Sequence, residues 1–263
     1  MLWVLVLGAI NILLLLFALF FLMPKDSYKK IPLDLKVIIK LFMDQIKPIL
    51  IIIGIVAFHL IEVKFIDPAA TQLVGYDYAN TIVNLEDGAV YWFSQHWNTI
   101  LLYYFVMIYI VIYSFTLWFS PIYFILGNKK RALKSLAYGL LLIYMVSLPF
   151  YLFLPITNVY TFYGVNSALE TAIPSVESFF YATTTQNNCL PSLHTAMTIL
   201  IAYCISLTGN KKLTYFGYFV MISVIISVVY LSIHWITDVV TGALLSFGVI
   251  FILRRYIKDE VNE

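Results

Sequence analysis

Histidine is scarce in this chain of 263 residues, which has only 4, and two of them stand in patterns that could handle a phosphoryl group. His194 closes the stretch PSLH, residues 191–194, and His234 lies within SVVYLSIHWITD, residues 227–238. Asp238 follows His234 at i+4, on the same helical face, so its carboxylate can reach one imidazole nitrogen and fix the tautomer. The other nitrogen is then free to act as nucleophile or base. A second histidine across the site can supply or remove a proton. Pro191 and Ser192 fit the start of a helix, whose free N–H groups make an anion site. Nucleophile, orienter, acid and anion cradle together suit attack on a phosphoester. Taken singly, Pro-Ser is an ordinary cap and His-x3-Asp an ordinary structural hydrogen bond; the conjunction carries the weight. His194, His234 and Asp238 could also ligate a divalent cation. A carboxylate-supported imidazole explains the spacing as well, so no metal and no cofactor is expected.

The elements that must position these residues are membrane helices. The chain is 62% hydrophobic and 11% charged, with a mean hydropathy of +0.91, and too little polar surface to cover a soluble core. Its apolar residues come in long runs without amphipathic periodicity. Seven spans are expected: 2–22, 47–63, 98–120, 135–155, 191–208, 213–233 and 235–253. His194 and His234 then lie two crossings apart and return to the same face at similar depth. Loops 23–46, 127–134 and 209–212, with the tail 254–263 and with Lys47 counted from its span boundary, gather all of the 16 Lys and Arg except Lys64 on one side. By the positive-inside rule that side is cytoplasmic and the N-terminus is outside. Within the linker, Leu33–Lys47 reads as an amphipathic helix on the membrane surface or as a solvated connector. His59 and His96 read as interfacial residues. Cys189 and Cys204 are too far apart along a helical stretch to form a disulfide, and read as packing residues.

PSLH and SVVYLSIHWITD resemble the second and third motifs of the type 2 phosphatidic acid phosphatase superfamily, P-S-G-H and S-R-x5-H-x3-D. The context NNCLPSLH, residues 187–194, looks closest to the branch containing inositol phosphorylceramide synthases. The resemblance covers roughly residues 191–242. It implies that His234 attacks phosphorus and forms a phosphohistidine, that Asp238 orients it, and that His194 protonates the leaving oxygen. Ser192 and nearby backbone N–H groups such as that of Leu193 would hold phosphate oxygens. The sequence departs from the family at the phosphate-binding cations. Val228 follows Ser227 where the family has arginine, and the first motif, K-x6-R-P, is absent; FLPITN, residues 153–158, stands in its place. The donors left are neutral: Ser192, Thr195, Ser227, Tyr230 and the run from Thr183 to Asn188.

The expected molecule is an all-α polytopic membrane bundle. Residues 1–97 supply N-terminal helices, an interfacial linker and an outer loop, and residues 98–263 supply the phosphatase-like catalytic bundle, all one membrane domain. A membrane lipid is the expected partner, and nucleic acid is not. The expected chemistry is processing of a lipid phosphate or phosphodiester at the outer face, by hydrolysis or by head-group transfer, with a singly charged diester suiting a site short of cations. Residues 157–190 could form a lid or lateral opening, or only anchor the bundle. A solute carrier or an inactive relative stays open on sequence alone. A retinal protein does not, since residues 235–253 hold no lysine.

Overall fold

The computed structural model of the chain describes residues 2–23, 34–174, 176 and 184–257. The first part of the linker expected over 25–46, residues 25–33, together with Glu177, Thr183 and the end of the tail, lies outside the described residues. Helices account for nearly all of the rest, in this order: α1 (Leu2–Phe17, running on through a π turn, Ala18–Leu22), α2 (Leu35–Asp44), α3 (Ile46–Val74), α4 (Ala79–Glu86), α5 (Tyr91–Gln95), α6 (Thr99–Leu126), α7 (Lys130–Phe153), α8 (Val159–Phe162), α9 (Ala168–Ala172), α10 (Leu193–Ser206), α11 (Lys211–Tyr230) and α12 (Ile236–Tyr256). Capping side chains fix several starts. Asn98, Ser192 and Asn210 each accept a hydrogen bond from a first-turn amide of α6, α10 and α11, satisfying donors the helix itself leaves unpaired.

α10 is the axis of the bundle. It is apolar on every side, with ten of its side chains from Thr195 to Ile205 buried, as expected of a helix surrounded by others. α11, α12 and α7 pack around it, α6 touches it more lightly, and α3 packs on the outside of α7. The outward faces of α3, α11 and α12 expose large apolar side chains, among them Ile53, Phe219, Leu244, Phe247 and Phe251, a surface suited to lipid. Among the described residues, five helices are long and apolar enough to cross a membrane: α3, α6, α7, α11 and α12. The apolar part of α1 and the whole of α10 are shorter. The expected span 47–63 ends too early, because α3 continues to Val74. The expected span stops short of Lys64 and Asp67, whereas Glu62 and Asp67 are buried against partners in the fold. The stretch 64–97, expected as an outer loop, is largely helical, being the end of α3 followed by α4 and α5. α2 forms within the linker, with most of its surface exposed.

The two ends of α10 differ in charge. At its C-terminal end Lys129 Nζ donates to the Thr208 carbonyl, and the Arg254 guanidinium lies over the Tyr203 ring. His194 is at the other end, about 20 Å away at 1.5 Å per residue.

Candidate active site

Ser192 caps α10 by accepting from Thr195 N–H at 3.3 Å, and its own amide donates to the Asp238 carbonyl at 3.0 Å. The start of α10 is thereby fastened to the first turn of α12. Gly242 lets them meet: a Cβ at that position would sit 2.5 Å from the Ser192 carbonyl oxygen. The Tyr151 hydroxyl, from the last turn of α7, donates to the Pro191 carbonyl at 2.6 Å. Between α11 and α12 the chain turns sharply, with Ser232 in the left-handed region at φ 56°, and His234 N–H bonds back to the Val228 carbonyl.

These restraints bring His194, His234 and Asp238 into one row. Asp238 Oδ2 lies 3.2 Å from His234 Nδ1, and His234 Nε2 lies 3.2 Å from His194 Nδ1. His194 Nε2 lies 2.9 Å from the Tyr109 hydroxyl. One set of protons satisfies the whole row. With Asp238 ionised, His234 donates from Nδ1, His194 donates from Nδ1 to the lone pair of His234 Nε2, and Tyr109 donates to His194 Nε2. His234 Nε2, left without a proton, then faces the Nδ1 proton of His194. Asp238 Oδ2 also accepts from Trp235 N–H at 2.9 Å, and the carboxylate sits in the first turn of α12, where the helix dipole favours negative charge. His234 is 4% exposed. Its burial lowers the imidazole pKa from 6.5 to about 4, keeping the ring neutral and nucleophilic at ordinary pH.

The expected substrate contacts divide. Thr195 is buried and its hydroxyl has no hydrogen-bond partner, so it is free to meet a ligand oxygen beside the first amides of α10, Leu193 among them. Ser192 spends its hydroxyl on the cap. Ser227 donates to the Val224 carbonyl within α11. The Tyr230 hydroxyl accepts from Asn98 N–H at the start of α6. Asn188 turns toward α3, its amide nitrogen donating to Glu62 Oε1 at 3.1 Å. FLPITN runs beside the motif: Ile156 and Asn158 amides donate to the Asn187 and Gln186 carbonyls, and the Thr157 carbonyl accepts from Trp235 Nε1 at 2.9 Å.

Sequence reasoning missed four residues here. Tyr109 is one of 20 tyrosines and sits in a π-helical turn of α6, Ile108–Ile112, which no pattern announces. Cys189 was read as packing, yet its Sγ and ligand atoms of His234 and Asp238 all lie within 4.8 Å of one another. This is the metal-capable grouping among the described residues, in place of the alternative set with His194. Burial pushes the Cys189 thiol well up, and both cysteines are free. Glu86 belongs to no motif. Its carboxylate accepts from Ile236 and Thr237 amides at 3.1 and 2.6 Å, tying α4 to the start of α12. Gly242 carries no motif at all. Of the other histidines, His96 stacks on Trp92, and His59 belongs to a separate polar cluster. A cleft of about 530 Å³ opens among the outer segments, lined by residues that include Tyr160, Asn166, Ser167, Glu170 and Gln186. Neither histidine of the row lines it.

No solved structure matches the chain. An uncharacterized protein of Methanocaldococcus jannaschii is 32% identical over 92 residues, covering 34% of this chain and 38% of that protein. The chain thus spans about two fifths of the length of that curated relative. Residues 149–261, the stretch that holds both histidines of the row and the aspartate, match the family model of the PAP2 superfamily.

Proposed function

We propose that this protein is an integral-membrane enzyme that processes a lipid phosphoester through a phosphohistidine on His234. The observation that carries the reading is the unbroken row Asp238–His234–His194, with both contacts at 3.2 Å. Substrate phosphorus enters between the two imidazoles. With the phosphoryl anion bound, His194 carries a second proton on Nε2, donated to the Tyr109 hydroxyl. His234 Nε2 attacks phosphorus, the bond to the leaving oxygen breaks, and that oxygen takes the Nδ1 proton of His194, leaving a neutral imidazole. In the second half a water or an alcohol returns its proton to His194 as its oxygen attacks phosphorus, and the N–P bond breaks. Asp238 stabilises the charge on His234 throughout. Thr195 and the first amides of α10 hold the phosphoryl oxygens.

The neutral donor set favours a singly charged phosphodiester, and with it the second reading, transfer of a head group to an alcohol in the manner of inositol phosphorylceramide synthases. The basic end of the bundle, with Lys129 and Arg254, lies at the far end of α10 from the row, so these cations do not compensate a dianion. On the positive-inside rule the basic end is cytoplasmic, which puts the row at the outer face. Purified protein incubated with matched lipid mono- and diesters tests the reading, with free phosphate and new lipid products both measured. Diester turnover above monoester turnover, lost in His234→Ala, is expected. Equal turnover by His234→Ala removes the mechanism, and a strong monoester preference removes the diester reading alone.

A further inference from the structure

A second buried polar cluster lies on the outer side of α7, and the row does not use it. α3 passes through a π-helical turn, Glu62–Ile66, in which Asp67 N–H bonds to the Glu62 carbonyl. In regular α-helix, residues five apart point about 140° away from each other; the i→i+5 turn stacks Asp67 over Glu62 instead. Both are buried, at 0% and 1% exposure. Two neighbouring carboxylates in so apolar a place are costly without compensation. Hydrogen bonds reach Glu62 from Tyr144 at 3.0 Å and from Asn188 at 3.1 Å. The group at hand that can carry positive charge is His59, 3.5 Å from Glu62 Oε2 and partly exposed. Lys64 lies over the Phe65 ring.

The side chains of Thr185 and Asn188 approach the Asp67 carboxylate. Even so, Asp67 Oδ1, Thr185 Oγ1 and Asn188 Oδ1 are buried and meet no hydrogen-bond partner at bonding geometry. Asp67 Oδ1 thus lies buried without a partner next to the Glu62 side chain, with the Thr185 hydroxyl and the Asn188 amide beside the same carboxylate. We propose that Glu62, Asp67, Thr185 and Asn188 form a binding site for a calcium-like divalent cation. An all-oxygen set of carboxylates, an amide carbonyl and a hydroxyl is the ligand chemistry of a hard cation. Its irregular arrangement, drawn from two chain segments, suits calcium better than magnesium, which demands a near-ideal octahedron and keeps most of its water. The cation neutralises the two carboxylates and clamps the segment 185–188 to α3. That segment leads directly into Cys189, whose side chain abuts His234 and Asp238. The bound cation is therefore a positioning element for the row, and its binding does not depend on what the row catalyses.

The test is calcium titration of the full-length purified protein in micelles, by calorimetry and by terbium luminescence sensitised by nearby tyrosines, with the thermal midpoint followed in parallel. Saturable binding at around 10⁻⁴–10⁻³ M is expected, the range of weak outer-surface calcium sites, together with a rise in the midpoint. Asp67→Asn should weaken binding at least tenfold and remove the rise. Thr185→Val, which keeps both carboxylates, should weaken it by a smaller factor, so misfolding of the first variant does not decide the matter. His234→Ala should bind calcium as the parent does, which separates this site from the metal-capable grouping at Cys189. Three results overturn the proposal: no saturation by roughly 10 mM, equal binding by parent and Asp67→Asn, or a midpoint that follows pH but not calcium, the mark of a shared proton.

Discussion

Each residue of the row has a test of its own. Tyr109 acts on His194 through one hydrogen bond of 2.9 Å, and removing it leaves the Nδ1 proton of His194 less firmly placed. Tyr109→Phe is expected to lower kcat roughly tenfold with KM little changed, whereas His194→Ala costs two to four powers of ten; steady-state kinetics on one lipid substrate separate the two. Burial sets the pH response of His234. Its native pKa of about 4 lies below the 6.5 of the exposed ring, so between these values the unfolded chain binds a proton that the folded one does not. The stability this contributes is whole above about pH 6.5 and is lost as pH falls through about 4. Thermal midpoints should fall more steeply over that window for the parent than for His234→Gln. The acid limb of kcat/KM should lie nearer pH 4 than 6.5, since the free enzyme needs a neutral nucleophile.

At the scale of elements, the site depends on how closely α12 approaches the start of α10. Gly242→Ala places a methyl against the Ser192 backbone, which cannot move without shifting the Ser192–Asp238 contact. A loss of about 1–3 kcal/mol in stability is expected, with a larger fractional loss of activity than of folded protein; chromatography and turnover on the same sample distinguish them. Two of the three π turns described above fall where ionisable groups collect, one presenting Tyr109 to His194 and the other stacking Glu62 and Asp67. Such bulges re-aim side chains at functional positions. They escape sequence reading because they come from the partners across the helix, not from a residue signature. The same cause misplaced the end of α3. The expected span ends before the charges at 64 and 67, and only the fold shows Tyr144, Asn188 and Thr185 receiving the carboxylates of Glu62 and Asp67.

At the scale of the molecule, the charge pattern and the fold make one arrangement, with a basic end and an end bearing the row. Single cysteines introduced at Asp87 and Lys211 report its orientation. A membrane-impermeant thiol reagent is expected to label Asp87→Cys in intact cells and Lys211→Cys only after the membrane is opened; the reverse pattern inverts the proposed orientation. The sequence by itself determined the class of molecule, because runs of apolar residues at this length have few uses outside a bilayer. It also determined the central pairing, since two histidines two crossings apart must return to one face and Asp238 at i+4 must share a helical side with His234. Only the tertiary structure decided what surrounds that pair. Tyr109, Cys189, Glu86 and the Glu62–Asp67 cluster come together through contacts between segments far apart in the chain. A residue's role there is set by what packs against it, which no local spacing encodes.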